Sequence, residues 1–268
     1  MRVRQLSIGL LFSSFAVLAL GAAAACSDDA KTTPMTDTDG GDSGPLAATE
    51  AKQKGKIADA IDKFEVSGAT VTIAGKSVVT GADGTYEIVV PRNVPYSMSV
   101  TEPSHYKVKE QEWIVKNDLF DRATTSLLSI DIANLLTSFL PPRDAAKGVL
   151  AVSVYPMAPC DSEQGSTLSI EPAGTSKVTY FANGKPSQSQ PSTVKDEAFS
   201  AAFSDVDVNV PIKVTVNSPL CEQLPFPIDH PDGVTYTGVQ TTEPGQVISF
   251  MRVFIGPKKP AIADAATD

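Results

Sequence analysis

The chain has 268 residues, 42% of them hydrophobic, and its 22 Lys and Arg against 31 Asp and Glu give a formal charge of −9. That length suits two small domains or one large β domain. An acidic chain without a basic cluster lacks the cations that displace counterions from nucleic acid, which excludes that class of partner.

Residues 1–25, MRVRQLSIGLLFSSFAVLALGAAAA, begin with Arg2 and Arg4, continue through the apolar stretch Leu6–Leu20 and end in the small residues Gly21–Ala25. A charged head, a short apolar body and a small-residue exit mark a secretory signal. The apolar run is short against the roughly 20 residues a spanning helix needs. Cys26 directly follows Ala23-Ala24-Ala25, which resembles a bacterial lipobox with Ala23 where Leu is usual. The resemblance implies cleavage before Cys26, lipid on its sulfur and an acyl chain such as palmitate on the new amine. Several acyl chains on one residue anchor stably. Ser27 in place of Asp after the cysteine implies the outer membrane, on its periplasmic or outer side. The alternative is an ordinary A-x-A cleavage that leaves a free thiol. Cleavage removes two Arg and no acid, so the formal charge goes from −9 to −11.

Residues 26–53 are polar and nearly free of large apolar side chains. Such a segment buries too little surface to offset its ordering entropy, and it reads as a disordered tether. Within it, GDSGP at 41–45 resembles a serine-protease signature, but no His precedes it in the order that family requires. Asp37, Asp39 and Asp42 suggest a calcium loop, yet a loop starting at Asp37 ends at Ala48 where a bidentate Glu is needed.

Beyond the tether the chain repeats itself. GATVTI at 68–73 matches GSTLSI at 165–170; TGADGTYEIVV at 80–90 matches TVKDEAFSAAF at 193–203; YSMSVTEP at 96–103 matches IKVTVNSP at 212–219. The growing offset places an insertion within 171–192. Repeats of this length predict two copies of one domain. Val71 and Ile73, then Tyr86, Ile88 and Val90, then Tyr96, Met98 and Val100 alternate with other residues at the period of a half-buried strand. Asp83-Gly84 between such runs predicts a tight turn.

These residues resemble the carboxypeptidase regulatory-like domain, a transthyretin-like β-sandwich. The resemblance implies that Thr80 and Asp83 close the turn on backbone N–H groups, that Gly84 allows its bend and that Tyr86 plugs the sandwich end. In the second copy Glu197 replaces the turn glycine, which implies a different turn. Between the copies, Leu128, Ile132, Leu135, Leu136 and Phe139 share a helical face, while Leu128, Ile130 and Ile132 also alternate. A short helix at about 130–139, covering an open end of the second sandwich, fits best. The expected fold is all-β, two tandem transthyretin-like sandwiches joined by a short helical segment. Its parts are a signal peptide at 1–25, the tether at 26–53, a regulatory-like sandwich at 54–122, a helical connector at 123–147, a second sandwich at 148–257 and a flexible tail at 258–268.

With Cys26 acylated, Cys160 and Cys221 remain, and an oxidising compartment predicts a disulfide between them. Only His105 and His230 are present, the latter beside Asp229 and Asp232, and a surface turn is the simpler reading of each. The single tryptophan, Trp113, is either a stacking surface for sugar rings or, with Val115, the buried face of a strand. Tyr180, Phe181 and Tyr236 are weaker candidates for a binding face. No cofactor or metal site is implied. The expected function is a lipid-anchored, non-catalytic cell-envelope protein, structural or adhesive, with the membrane and a polysaccharide or another envelope protein as partners. A carbohydrate- or peptidoglycan-binding module is the alternative, and a metal-dependent hydrolase the least favoured.

Overall fold

The structure, a computed structural model, describes residues 46–137 and 142–258. The signal peptide, Cys26, most of the tether, residues 138–141 and the tail from 259 lie outside the described residues. In chain order the first half contains β1 (Glu50–Asp59), β2 (Thr70–Ile73), β3 (Lys76–Val79), β4 (Thr85–Pro91), β5 (Pro95–Tyr96), β6 (Met98–Thr101), β7 (Lys107–Glu110), β8 (Trp113–Val115), β9 (Leu119–Asp121) and β10 (Thr125–Leu127), then helix α1 (Ile130–Thr137). The second half contains β11 (Gly148–Pro156), β12 (Thr167–Glu171), β13 (Lys177–Ala182), β14 (Lys185–Ser187), β15 (Ala201–Val206), β16 (Lys213–Asn217), β17 (Cys221–Gln223), β18 (Ile228–Asp229), β19 (Val234–Tyr236) and β20 (Val247–Pro257). The described chain is all-β apart from α1, and no described helix is long and apolar enough to cross a membrane.

The repeat seen in the sequence is also a repeat of strand pairing. Antiparallel β2 and β6 set Thr70 opposite Thr101 and Ile73 opposite Met98, and β12 and β16 set Thr167 opposite Asn217 and Ile170 opposite Val214. Likewise β1 against β4 sets Gln53 opposite Ile88 and Ala51 opposite Val90, while β11 against β15 sets Val152 opposite Ala201 and Leu150 opposite Phe203. Each matched residue keeps its matched partner, because the period-two burial pattern fixes register wherever one face is apolar. The insertion within 171–192 forms an added hairpin, β13 and β14, on the edge of β15.

Each repeat has its own core. The first gathers Val71, Ile73, Ile88, Val90, Met98, Val100 and Trp113; the second gathers Leu150, Val152, Ile170, Phe203, Val214 and the two cysteines. The two are joined by β20, which runs parallel to β11 over eight residue pairs and parallel to β7 on its other edge. One sheet therefore runs β14-β13-β15-β11-β20-β7-β6-β2-β3 through both halves. The two faces of β20 serve different cores: Met251, Val253 and Ile255 enter the second, and Phe254 enters the first. A second crossing is β19, in the range expected for the second sandwich, which pairs with β8 and places Val234 and Tyr236 in the first core.

Two expectations need correction. Residues 50–53, read as tether, are the start of β1, with Ala51 and Gln53 fully buried. Alternate Glu and Lys on the exposed face hide a strand whose inward residues are small or polar. Helix α1, expected to cover the second sandwich, is fastened to the first half: the Ile130 amide donates to Ser104 O at 2.9 Å and the Tyr106 amide to Leu128 O at 2.9 Å. The cause is β10, which pairs with β1 just before the helix begins and so fixes where α1 starts.

Candidate functional site: a cleft where the two repeats meet

The turn residues hold the first repeat together. Thr80 Oγ1 accepts from the Ala69 amide at 2.9 Å and donates to Val66 O at 2.7 Å. Asp83 Oδ1 accepts from the Thr85 amide at 3.1 Å and from its hydroxyl at 2.7 Å. Gly84 has φ +73°, and a Cβ there would stand 2.4 Å from Ile57 O. Tyr86 is buried, accepting from Gln53 Nε2 at 3.3 Å and donating to Met98 Sδ at 3.4 Å. In the second repeat Asp196 takes the left-handed conformation, at φ +61°, while Glu197 turns aside to accept from the Gly184 amide of the added hairpin at 2.9 Å.

Trp113 is withdrawn as a ligand contact. It is 0% exposed, because β8 lies between β5 and β19 with its indole in the first core. The Arg122 guanidinium lies over its ring at 4.6 Å, and Tyr96 meets it edge-on with ring centroids 5.9 Å apart. Tyr180 and Tyr236 are buried as well. Phe181 is half-buried against Phe199 at 5.9 Å.

The two histidines are each held by neighbouring carboxylates. His105 Nδ1 lies 2.5 Å from Glu102 Oε2 and Nε2 lies 3.3 Å from Asp59 Oδ2, which fastens the end of β1 to the loop before β7. His230 Nδ1 lies 3.0 Å from Asp232 Oδ1. Asp229 is taken up by Lys116 at 2.6 Å and by the Thr235 hydroxyl at 2.5 Å. Among the described residues no cluster of His, Cys, Asp and Glu is arranged to hold a metal ion.

The concave feature with convergent chemistry is a cleft of about 190 Å³ at the seam between the repeats. Its lining comes from β7 (Glu110), the segment Thr124–Ser126, β11 (Ser153, Tyr155), the turn Ala198–Phe199 and β20 (Phe250, Met251, Arg252). A larger groove of about 670 Å³ runs beside Gly55 and Val79, but its charges are matched on the surface, with Lys54 on Glu87 at 3.0 Å and Lys56 on Glu65 at 2.9 Å.

The charged residues of the seam cleft are Glu110 and Arg252, and Arg122, which lines the larger groove, holds Glu110 from behind. Arg122 and Glu110 form a buried pair at 2.8 Å, and Arg122 Nε also donates to Thr125 Oγ1 at 3.3 Å. A pair in this setting is held by its hydrogen bonds, since desolvation offsets much of its attraction. Arg252 Nη1 donates to the Tyr236 hydroxyl, which in turn donates to Asp232 Oδ2 at 3.0 Å. Burial pushes the Tyr236 hydroxyl up to about 12, outweighing the neighbouring Arg252, so it stays protonated and can act as this relay. Tyr155 and Tyr236 flank the Arg252 guanidinium at 5.7 and 5.5 Å. Phe199 and Phe250, with centroids 5.2 Å apart, extend the apolar wall. Ser153 Oγ donates to Ala198 O at 2.9 Å, so it is engaged with backbone and has no base beside it. The cleft brings a guanidinium, a carboxylate, aromatic rings and hydroxyls together.

The sequence reading missed Arg252, Glu110 and Tyr155. A signal was present: Arg252 is the one charge inside the apolar run VISFMRVFI. A buried strand tolerates such a residue only where partners await it.

The sequence matches no family model and no curated protein. Among solved structures, the Bacillus anthracis TIE protein is similar at 10% identity and a TM-score of 0.26, over 77% of this chain and 34% of that one. A streptococcal ancillary pilin is similar at 10% identity and 0.25, over 80% and 64%. The shaft pilin SpaA from Lactobacillus rhamnosus GG is similar at 8% identity and 0.23, over 79% and 98%. The chain thus spans about a third of the first and just under two thirds of the second.

Proposed function

We propose that the chain is a lipid-anchored, non-catalytic module of the bacterial outer membrane with a structural or adhesive role. The observation that carries this reading is the Cys160–Cys221 disulfide, which closes the second core. Such bonds persist outside the cytosol, and residues 1–26 read as an address to that place. A sheet continuous through both repeats supports a structural role, since no linker interrupts it. The first repeat is proposed as a carboxypeptidase regulatory-like sandwich, on the hydrogen bonds of Thr80 and Asp83. The seam cleft favours, as a second reading, that adhesion proceeds by binding a saccharide.

Metabolic labelling with an alkynyl fatty acid in a host with two membranes tests the anchor. Label should appear on the wild-type chain in the membrane fraction and vanish from Cys26→Ser, which should turn soluble. An unlabelled wild-type chain in the soluble fraction would overturn the proposal.

A further inference from the structure

The seam cleft suits one ligand chemistry more closely than the others, and we infer that it binds a carboxylated saccharide, a uronate unit of an envelope or matrix polysaccharide. The inference rests on the reading of the chain as an extracytoplasmic adhesion module and names the ligand class of its site.

Size comes first. At about 190 Å³ the cleft is smaller than the sites that hold drug-sized molecules, roughly 300–1,000 Å³, so it suits one ring of a longer chain. Next come the rings. Tyr155 is 39% exposed and Phe199 is half-buried, and both line the cleft. Aromatic faces of this kind take the C–H face of a pyranose, while Ser126 and the accepting lone pairs of Ser153 meet its hydroxyls.

The charge decides the class. Glu110 is already matched by Arg122 at 2.8 Å. Asp232 is 4.0 Å from Arg252 and closer to His230, at 3.0 Å. Arg252 commits its Nη1 to Tyr236 and lies within the field of both Asp232 and Glu110. A planar guanidinium on the cleft wall, set between two tyrosines, is a group that receives a carboxylate. A neutral sugar would fill the same space without a carboxylate for that guanidinium, and a carboxylated peptide would leave the hydroxyl-lined rim without partners.

Calorimetric titration of the full-length chain in detergent tests this with three probes: oligogalacturonate, the neutral oligogalactose of equal length and a short oligoglutamate peptide. Oligogalacturonate should bind at least about tenfold more tightly than either of the others. Tyr155→Ala should weaken it by about tenfold through the lost ring contact, with an unchanged melting temperature, because this side chain is partly exposed. Arg252→Gln removes the charge with the fork and should erase the preference for acid over neutral sugar, while Arg252→Lys should keep part of it. Equal affinity for the acidic and neutral sugars, tighter binding of the peptide, absence of uronate binding, or full affinity in Tyr155→Ala would each overturn the inference. Binding in detergent does not depend on acylation, so failure here and failure of the Cys26 labelling are separate results.

Discussion

Thr80 and Thr193 make the same hydrogen bonds in the two repeats. Each hydroxyl accepts an amide from the segment leading into the repeat's second strand, Ala69 to Thr80 and Ser166 to Thr193, both at 2.9 Å. Each also donates to the carbonyl three residues before that amide, Val66 O and Glu163 O. Gly68 and Gly165 sit at φ +76° and +77° beside them. The two turns that follow have diverged, at Gly84 and Glu197, while this clasp has not.

Thr80 and Thr193 are both buried, but only Thr80→Val strands an amide, Ala69, and a carbonyl, Val66, away from water, since the Ser166 amide also donates to Glu163 O at 3.1 Å. Thr80→Val should cost about 1–3 kcal/mol and Thr193→Val less. Urea unfolding measures this, and Thr→Ser should recover most of the loss. A Thr80→Val protein as stable as the wild type would show that the clasp is incidental.

The disulfide joins Cys160, just after β11, to Cys221 at the start of β17, across a separation of 61 residues. Closing a loop of that length removes unfolded-state entropy equivalent to about 4 kcal/mol in the chain-entropy description. The Cys160→Ala, Cys221→Ala double variant should melt well below the oxidised chain. The wild type in strong reductant should follow it.

Asp59 and Glu102 hold His105 from two sides. Burial alone would raise both carboxyls. At Asp59 the Asp62 and Ile61 amides with His105 outweigh it, and at Glu102 the Ser104 hydroxyl, His105 and the Ser104 amide do so, leaving both below their ordinary values. With a lowered folded-state value, the unfolded chain takes up the proton first. The stabilisation is therefore complete above the ordinary carboxylate range, about 4, and is lost as pH falls through the lowered folded-state values. Melting temperature should drop more steeply on the acid side in the wild type than in an Asp59→Asn, Glu102→Gln variant. Parallel profiles would remove this cluster from the account of acid stability.

What the sequence disclosed followed local rules. Alternation at Tyr86, Ile88 and Val90, the Asp83-Gly84 turn and the three matched stretches were enough to expect strands, a repeat and an all-β chain. The disulfide was expected from two cysteines and an N-terminal segment that reads as an export signal. What stayed hidden depends on distant partners. Nothing local marks Lys107–Glu110 as a neighbour of Val247–Phe250, so the shared sheet was not expected, and neither was the cleft it creates. The start of β1 stayed hidden for a different reason: Gln53 is buried by a hydrogen bond to Tyr86, and a polar residue does not advertise an inward face. The buried strand face was the favoured reading of Trp113 with Val115, and both are 0% exposed, although β19, which completes their cover, arrives from more than a hundred residues away.

Strand β20 makes the two repeats one unit, and Trp113 reports on it directly. This sole tryptophan lies in the first core, whereas Met251, 2% exposed on the other face of β20, lies in the second. Met251→Ala should cost about 2–5 kcal/mol through the cavity it leaves. In a urea titration, the Trp113 fluorescence midpoint of Met251→Ala should move down together with the far-ultraviolet circular dichroism midpoint, in a single transition. A Trp113 midpoint that stays at its wild-type position while the dichroism curve divides in two would contradict the account.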